Sequence, residues 1–200
     1  MAHTGLRNEL PTAAVTSRDN AFVHEPQHLE HERVHTGRWG PMTDAEDDAE
    51  ANPWDELLED AQSLAENYRE AGWEAIVVRP TDVLAVDRGE RPGLEALVTD
   101  DEYDPVAAAV DREEATFDRA EVYRRQAGEN THVLTVEADD ATETAIVLPL
   151  TYTLEDAREV LETALDAGVL EVHVRPPALE DGWVSFAHDE PSLFVEDDRL

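Results

Sequence analysis

Two stretches of the chain repeat their apolar residues at helical spacing. Trp54, Leu57, Leu58, Ala61, Leu64, Ala65 and Tyr68 recur at three- and four-residue intervals, which sets them on one stripe of a helix. Asn52 is suited to cap that helix, Pro53 to its first turn and Gly72 to its end. The second stripe is Ala157, Val160, Leu161, Ala164 and Leu165. Thr153 opens it, with Asp156 in the capping-box position that glutamate usually takes, and Gly168 closes it. A short helix is predicted over 104–114. Strands are predicted at Trp73 to Arg79, Phe117 to Arg125, His132 to Ala138, Thr144 to Tyr152, Leu170 to Arg175 and Trp183 to Ala187. DVLAV (82–86) and LEALV (94–98) each fit a short strand, separated by Gly89, Pro92 and Gly93. Turn residues Gly128-Glu129-Asn130 and Asp139-Asp140 make 117–152 a three-strand antiparallel meander. The expected fold is α+β, an antiparallel or mixed sheet of about five to six strands with two main helices on one face.

The two helical stretches resemble each other in sequence. LEDAQSLAENYREAGWEAIVVRP (58–80) and LEDAREVLETALDAGVLEVHVRP (154–176) align without a gap at an offset of 96, with ten of 23 positions identical. Each reads helix, glycine, strand, Arg-Pro. Acidic amphipathic helices share a small alphabet, but the common Gly-x6-Arg-Pro spacing is harder to reach by convergence. A true duplication would set the two helices in related positions on one sheet, with Arg79 and Arg175 at equivalent strand ends.

Charge changes the picture most. The chain has 200 residues, a net charge of −33, 48 acids and 15 bases. Every base is arginine; there is no lysine and no cysteine. A surface this acidic is tolerable in molar salt, where the Debye length falls to about 3 Å and self-repulsion is screened. A salt-in, haloarchaeal origin is therefore expected. An acidic disordered protein is the rival, but 41% of residues are apolar and they fall in periodic segments. The charge disfavours nucleic acid and anionic membranes as partners. No run approaches the roughly 20 apolar residues of a membrane span, and no signal peptide is expected, so a cytoplasmic protein is expected. Absent cysteine removes disulfides, thiolate zinc sites and thiol nucleophiles. Absent lysine removes Schiff-base, P-loop and kinase chemistry.

Residues 1–41 differ from the rest. They carry five acids, four arginines and five of the eight histidines, for a net −1, which leaves −32 on the other 159 residues. Met42 then opens the acidic run TDAEDDAEANPW, the kind of start an acidic chain would have. The expected organisation is a disordered or wrongly assigned extension over 1–52, one acidic α+β domain over 53–195 and a frayed tail over 196–200. His31-Glu32-Arg33-Val34-His35 in the extension reads H-E-x-x-H, the spacing that sets two zinc-binding imidazoles and a general base on one helix face. Chance is the stronger explanation. Pro26 and Gly37 confine any helix to about three turns, and Arg38 and Pro41 stand where the extended motif needs glycine and a third histidine. The overlapping His31-x3-His35-Thr36-Gly37 resembles half of a zinc finger whose cysteine half this chain cannot supply.

The remaining candidates are few. Arg79 and Arg175 are weak anion-binding candidates, since a guanidinium grips carboxylate or phosphate; an ion pair with a nearby acid is the commoner fate. His173 shares a strand face with Glu171 and Arg175 and reads as solvent-facing. His188-Asp189-Glu190 reads equally as part of a metal site or as a polar turn before Pro191. His132 has no evident partner. Trp54, Trp73 and Trp183 read as anchors of the core or its rim.

The run WDELLEDAQSLAENYREAGWEAIVVRPTDV, with LPLTYTLEDA, HVRP and WVSFAHDEP, resembles an uncharacterised haloarchaeal family, a domain of unknown function, over about residues 54–195. The resemblance implies origin and a single domain; it brings no site residue. No catalytic residue, metal ligand or cofactor is assigned. Two functions remain: a non-enzymatic binding or protein-interaction module with a protein partner still to be identified, or a small metal-binding protein or metal-dependent enzyme using carboxylates and histidines.

Overall fold

The structure, a computed structural model, describes residues 14–15, 52–87, 92–178 and 183–195. Helix α1 (Pro53–Glu70) begins where the sequence places it: the Asn52 side chain accepts from the Trp54 N–H at 3.2 Å. Helix α2 (Asp100–Val110) starts four residues earlier than expected. Thr99 caps it, and Asp100, Asp101 and Glu102 fill its first turn, where acids meet the positive end of the helix dipole. Helix α3 (Leu154–Ala167) is capped by Thr153 and ends at Gly168, whose φ of 71° is left-handed. A 3-10 turn, η1 (Pro191–Leu193), follows the last strand.

The strands form two mixed four-stranded sheets, where one sheet of five to six was expected. Sheet B runs β2 (Glu74–Val77), β7 (Thr144–Thr153), β6 (Asn130–Asp139), β5 (Arg119–Ala127). Strands β5 to β7 are the expected meander, and β2 joins it parallel to β7. Sheet A runs β9 (Val184–His188), β8 (Leu170–Arg175), β4 (Pro92–Leu97), β3 (Asp82–Asp87). The two residues of β1 (Ala14–Val15) lie parallel beside β9. The division happens at Pro80. The Val78 N–H still bonds to Val147 of sheet B at 2.9 Å, and the Thr81 N–H bonds to Leu97 of sheet A at 2.7 Å. Proline between them has no N–H to continue either ladder.

Two cores follow. Leu57, Ala61 and Ala65 of α1 cover one face of sheet B with Ala75, Leu134, Val136, Ala145 and Val147. The larger core joins the other face of sheet B to sheet A through α2 and α3. The helices therefore do not share one face as expected. The two similar sequence units also part: β2 belongs to sheet B and β8 to sheet A, although each lies parallel to one neighbour, β7 and β4. Among the described residues no helix is long and apolar enough to cross a membrane.

Candidate functional site

Three polar clusters stand out among the described residues. The first lies where β5 meets the C-terminal end of α1. Alternation sets Arg119, Glu121, Tyr123 and Arg125 on the side of sheet B that α1 covers. Because β5 is the sheet's last strand, α1 reaches it only at the rim. There Tyr68 and Trp73 pack edge to face at 5.4 Å, and the Arg119 guanidinium lies 5.4 Å above the Trp73 ring. Glu121 is the hub. It accepts from Tyr68 at 3.0 Å, from Arg119 at 2.9 Å and from Tyr123 at 2.7 Å. Burial, then the Glu121 charge, pushes the Tyr68 phenol up to about 12. Burial and the Glu121 bond raise Tyr123 as well. Both phenols therefore stay protonated and donate at neutral pH. Tyr123 remains 49% exposed, and Arg125 is tied to Glu56 at 2.8 Å.

The second cluster lies on the face of sheet A turned away from the core. Register brings Glu95 beside His173, and Ser185 beside His173 on the other side. The Arg175 guanidinium meets Glu95 at 2.7 Å. His173 Nδ1 lies 2.8 Å from Ser185 Oγ and 3.7 Å from Glu171 Oε2. His173 is 2% exposed and Glu95 1%, so the expected solvent-facing histidine is instead buried among charges. Serine, histidine and carboxylate in one place suggest a nucleophilic triad, but the geometry is wrong for one. A triad needs serine on one ring nitrogen and the acid on the other; here both approach Nδ1. Nε2 lies over Gly93, where an added Cβ would sit 2.7 Å from it.

The third cluster is inside the larger core. Glu137 Oε1 on β6 and His188 Nε2 on β9 face each other at 3.3 Å, both side chains 3% exposed. Neither atom, nor the hydroxyl of buried Thr135, has a hydrogen-bond partner among the described residues. The His188 ring packs edge to face on Phe194 at 4.9 Å. Farther along β6, Asp139 is fully buried and accepts from the backbone N–H groups of Thr116, Phe117 and Thr142. Burial alone would raise its pKa, but those bonds hold the carboxyl well below the usual range.

The sequence candidates fare unevenly. Arg79 and Arg175 are not brought together by any described contact. Arg79 is 53% exposed and 4.0 Å from Glu102, while Arg175 is mostly buried against Glu95. His132 does have a partner, Thr151 Oγ1 at 2.8 Å, and burial followed by the charge of Arg125 lowers its pKa. Trp54 and Trp73 pack at the rim of the α1 core, and Trp183 packs 6.1 Å from His173. The H-E-x-x-H run, with Met42, lies outside the described residues. Sequence reasoning missed Glu95, Glu137 and Ser185, and the Tyr68–Arg119–Glu121–Tyr123 cluster. Residues from α1 and β5 carry no local signal that they meet; only the presence of tyrosine and arginine in each segment, with tryptophan at 54 and 73, was available.

A family model described as a family of unknown function (DUF7529) matches residues 41–196. No curated protein and no solved structure matches.

Proposed function

Since the chain belongs to that family of unknown function, we propose from its own surface that it is a non-enzymatic protein-interaction module. The observation that carries this reading is the rim of β5. Tyr68, Trp73, Arg119 and Tyr123 gather there around one carboxylate, and tyrosine, tryptophan and arginine are the side chains that dominate binding hot spots. The two phenols are held by hydrogen bonds and the Trp73 ring by Tyr68 and Arg119 before any partner arrives, which lowers the ordering cost of association. A protein partner fits better than nucleic acid or an anionic membrane, because 48 acids against 15 bases give no broad basic face.

Affinity capture with the tagged full chain from a native lysate in molar KCl tests this reading. A stoichiometric protein should be recovered by wild type and lost with Tyr123→Ala. Recovery of no protein, or equal recovery by the variant, speaks against it. A haloarchaeal cytoplasm is the setting that the −33 charge and absent lysine favour. Circular dichroism on dilution from molar to about 0.1 M KCl should show loss of structure as the Debye length grows to about 10 Å; a signal unchanged by dilution would count against that setting.

One observation favours the metal reading. Two ligands of a tetrahedral zinc with bonds of about 2.0–2.1 Å lie roughly 3.3–3.4 Å apart, close to the 3.3 Å between Glu137 and His188. Against it, no group of three or more histidines or acids among the described residues is placed to hold a metal. Equimolar zinc retained after dialysis, and lost in His188→Ala, would favour it over an internal pair.

A further inference from the structure

We infer that the protein pairs with a second copy of itself, β5 against β5 of the partner, antiparallel about a two-fold axis at Tyr123. The inference rests on the interaction reading above and names its partner. It starts from the hairpin that joins β5 to β6. Gly128 (φ 62°) and Glu129 form a two-residue turn, and Ala127 opposes Asn130 across it. In such a turn the flanking pair exchanges both hydrogen bonds. The register then runs without a bulge from Ala127↔Asn130 to Arg119↔Ala138. Peptide groups of Arg119, Glu121, Tyr123, Arg125 and Ala127 therefore point to β6. Those of Ala120, Val122, Arg124 and Gln126 point away, to the outer edge of sheet B.

Among the described residues no strand pairs along that edge. Of the four outward-pointing residues, Ala120 and Arg124 are exposed and Val122 and Gln126 half-buried; Tyr123 between them is exposed. The Arg124 side chain folds back onto η1, donating to the carbonyls of Ser192 at 2.9 Å and Leu193 at 3.1 Å, and leaves its peptide at the edge. A nine-residue edge without proline or bulge is a template for another strand; charged side chains also guard edges, and those of β5, Arg119, Glu121, Arg124 and Arg125, admit only a partner whose charges fall in complementary order.

The side chains choose both the partner and the register. With the axis at Tyr123, Glu121 stands opposite Arg125 of the partner subunit, twice by symmetry, and the two Tyr123 rings meet at the centre. Val122 stands opposite Arg124 of the partner subunit and Ala120 opposite Gln126 of the partner subunit. These two outward pairs exchange the new hydrogen bonds. Moving the axis to Val122 sets Arg119 against Arg125 of the partner subunit; moving it to Arg124 sets that arginine against its own copy. Like charges directly opposite are destabilising and opposite charges favourable, so the central register is preferred. Pairing joins the two copies of sheet B into one continuous sheet. Two chains of −33 repel, so association requires the screening of molar salt.

The chain has no cysteine, so a single engineered one reads the register. In the full chain at high protein concentration in molar KCl with oxidised glutathione, Tyr123→Cys should give a disulfide-linked dimer, because the covalent bond traps the pair even though loss of the two rings weakens it. The two positions form a non-hydrogen-bonded pair with Cα atoms about 4.5 Å apart, within disulfide reach. Ala120→Cys is the control: its two copies would lie six residues apart, about 20 Å, and should stay unlinked. Light scattering of wild type should return twice 22.3 kDa. Ala120→Pro removes an outward N–H that no β6 bond uses, so it should keep the wild-type circular dichroism and weaken the dimer on the order of tenfold. A monomeric wild type in molar KCl, or Ala120→Cys linking as fast as Tyr123→Cys, would overturn the inference. If wild type is monomeric yet lysate capture still returns a partner lost with Tyr123→Ala, self-pairing fails and the interaction reading stands.

Discussion

Asp139 closes the core where α2 hands the chain to β5, and replacing it should cost more than any surface change. One carboxylate oxygen accepts from the N–H groups of Thr116 and Phe117, the second at 2.9 Å, and from the Thr116 hydroxyl at 3.1 Å. The other accepts from the Thr142 N–H at 2.6 Å and its hydroxyl at 2.8 Å. These bonds also hold Phe117 at φ 43°, a left-handed conformation unusual for a residue with a side chain, where its ring meets Phe186 at 5.8 Å. Asp139→Asn keeps only one acceptor oxygen. Facing it toward Thr116 and Phe117 aims the new amide at the Thr142 N–H, donor against donor. A buried N–H left unsatisfied costs about 1–3 kcal/mol, and losing charge assistance on the three remaining bonds adds about 1 kcal/mol in all. The expected loss is about 3 kcal/mol, a large share of a domain stability of roughly 5–15 kcal/mol. Urea unfolding in molar KCl measures it: with a slope of about 2 kcal/mol/M the midpoint should fall by about 1.5 M. The loss should also depend on pH. The folded carboxyl holds its proton less readily than the unfolded one, so as pH falls through about 3.9 the unfolded chain takes up the proton first. The Asp139 contribution is full above about pH 5, and the gap between wild type and Asp139→Asn should narrow below it. A variant within about 0.5 kcal/mol of wild type at pH 7 would refute the reasoning, because it would mean these donors find other acceptors at no cost.

Two further substitutions probe sheet A. A Cβ at Gly93 would lie 2.6 Å from the Glu171 carbonyl and 2.7 Å from His173 Nε2; Gly93→Ala should therefore shift β4 against β8 and cost about 1–3 kcal/mol by overpacking, read from the urea midpoint. Arg175→Ala takes a guanidinium from a carboxylate that is 2% exposed and should cost about 3 kcal/mol, whereas Arg79→Ala, at an exposed 4.0 Å pair, should change stability by less than about 0.5 kcal/mol. Equal effects of the two arginine substitutions would contradict the burial of the Arg175–Glu95 pair.

The amino-acid sequence by itself determined the local elements. Asn52, Thr153 and the glycines at 72 and 168 mark helix ends because capping and left-handed closure act within one turn. The meander was legible because two of its turns are written in adjacent residues. The division into two sheets was not, because Pro80 ends a strand visibly but does not say which strand the chain pairs with next. Polar positions misled for a related reason. Leu170, Val172 and Val174 alternate with Glu171, His173 and Arg175 along β8, and alternation says which residues share a face, not whether that face meets water. Tertiary structure decided that Glu95 and Ser185 arrive beside His173, and likewise that Glu137 and His188 oppose each other from different sheets. A buried charged group needs partners brought to it, and for Glu95 and Glu137 those come from other strands, a proximity created by the pairing and packing of strands rather than by either residue's neighbours in the chain.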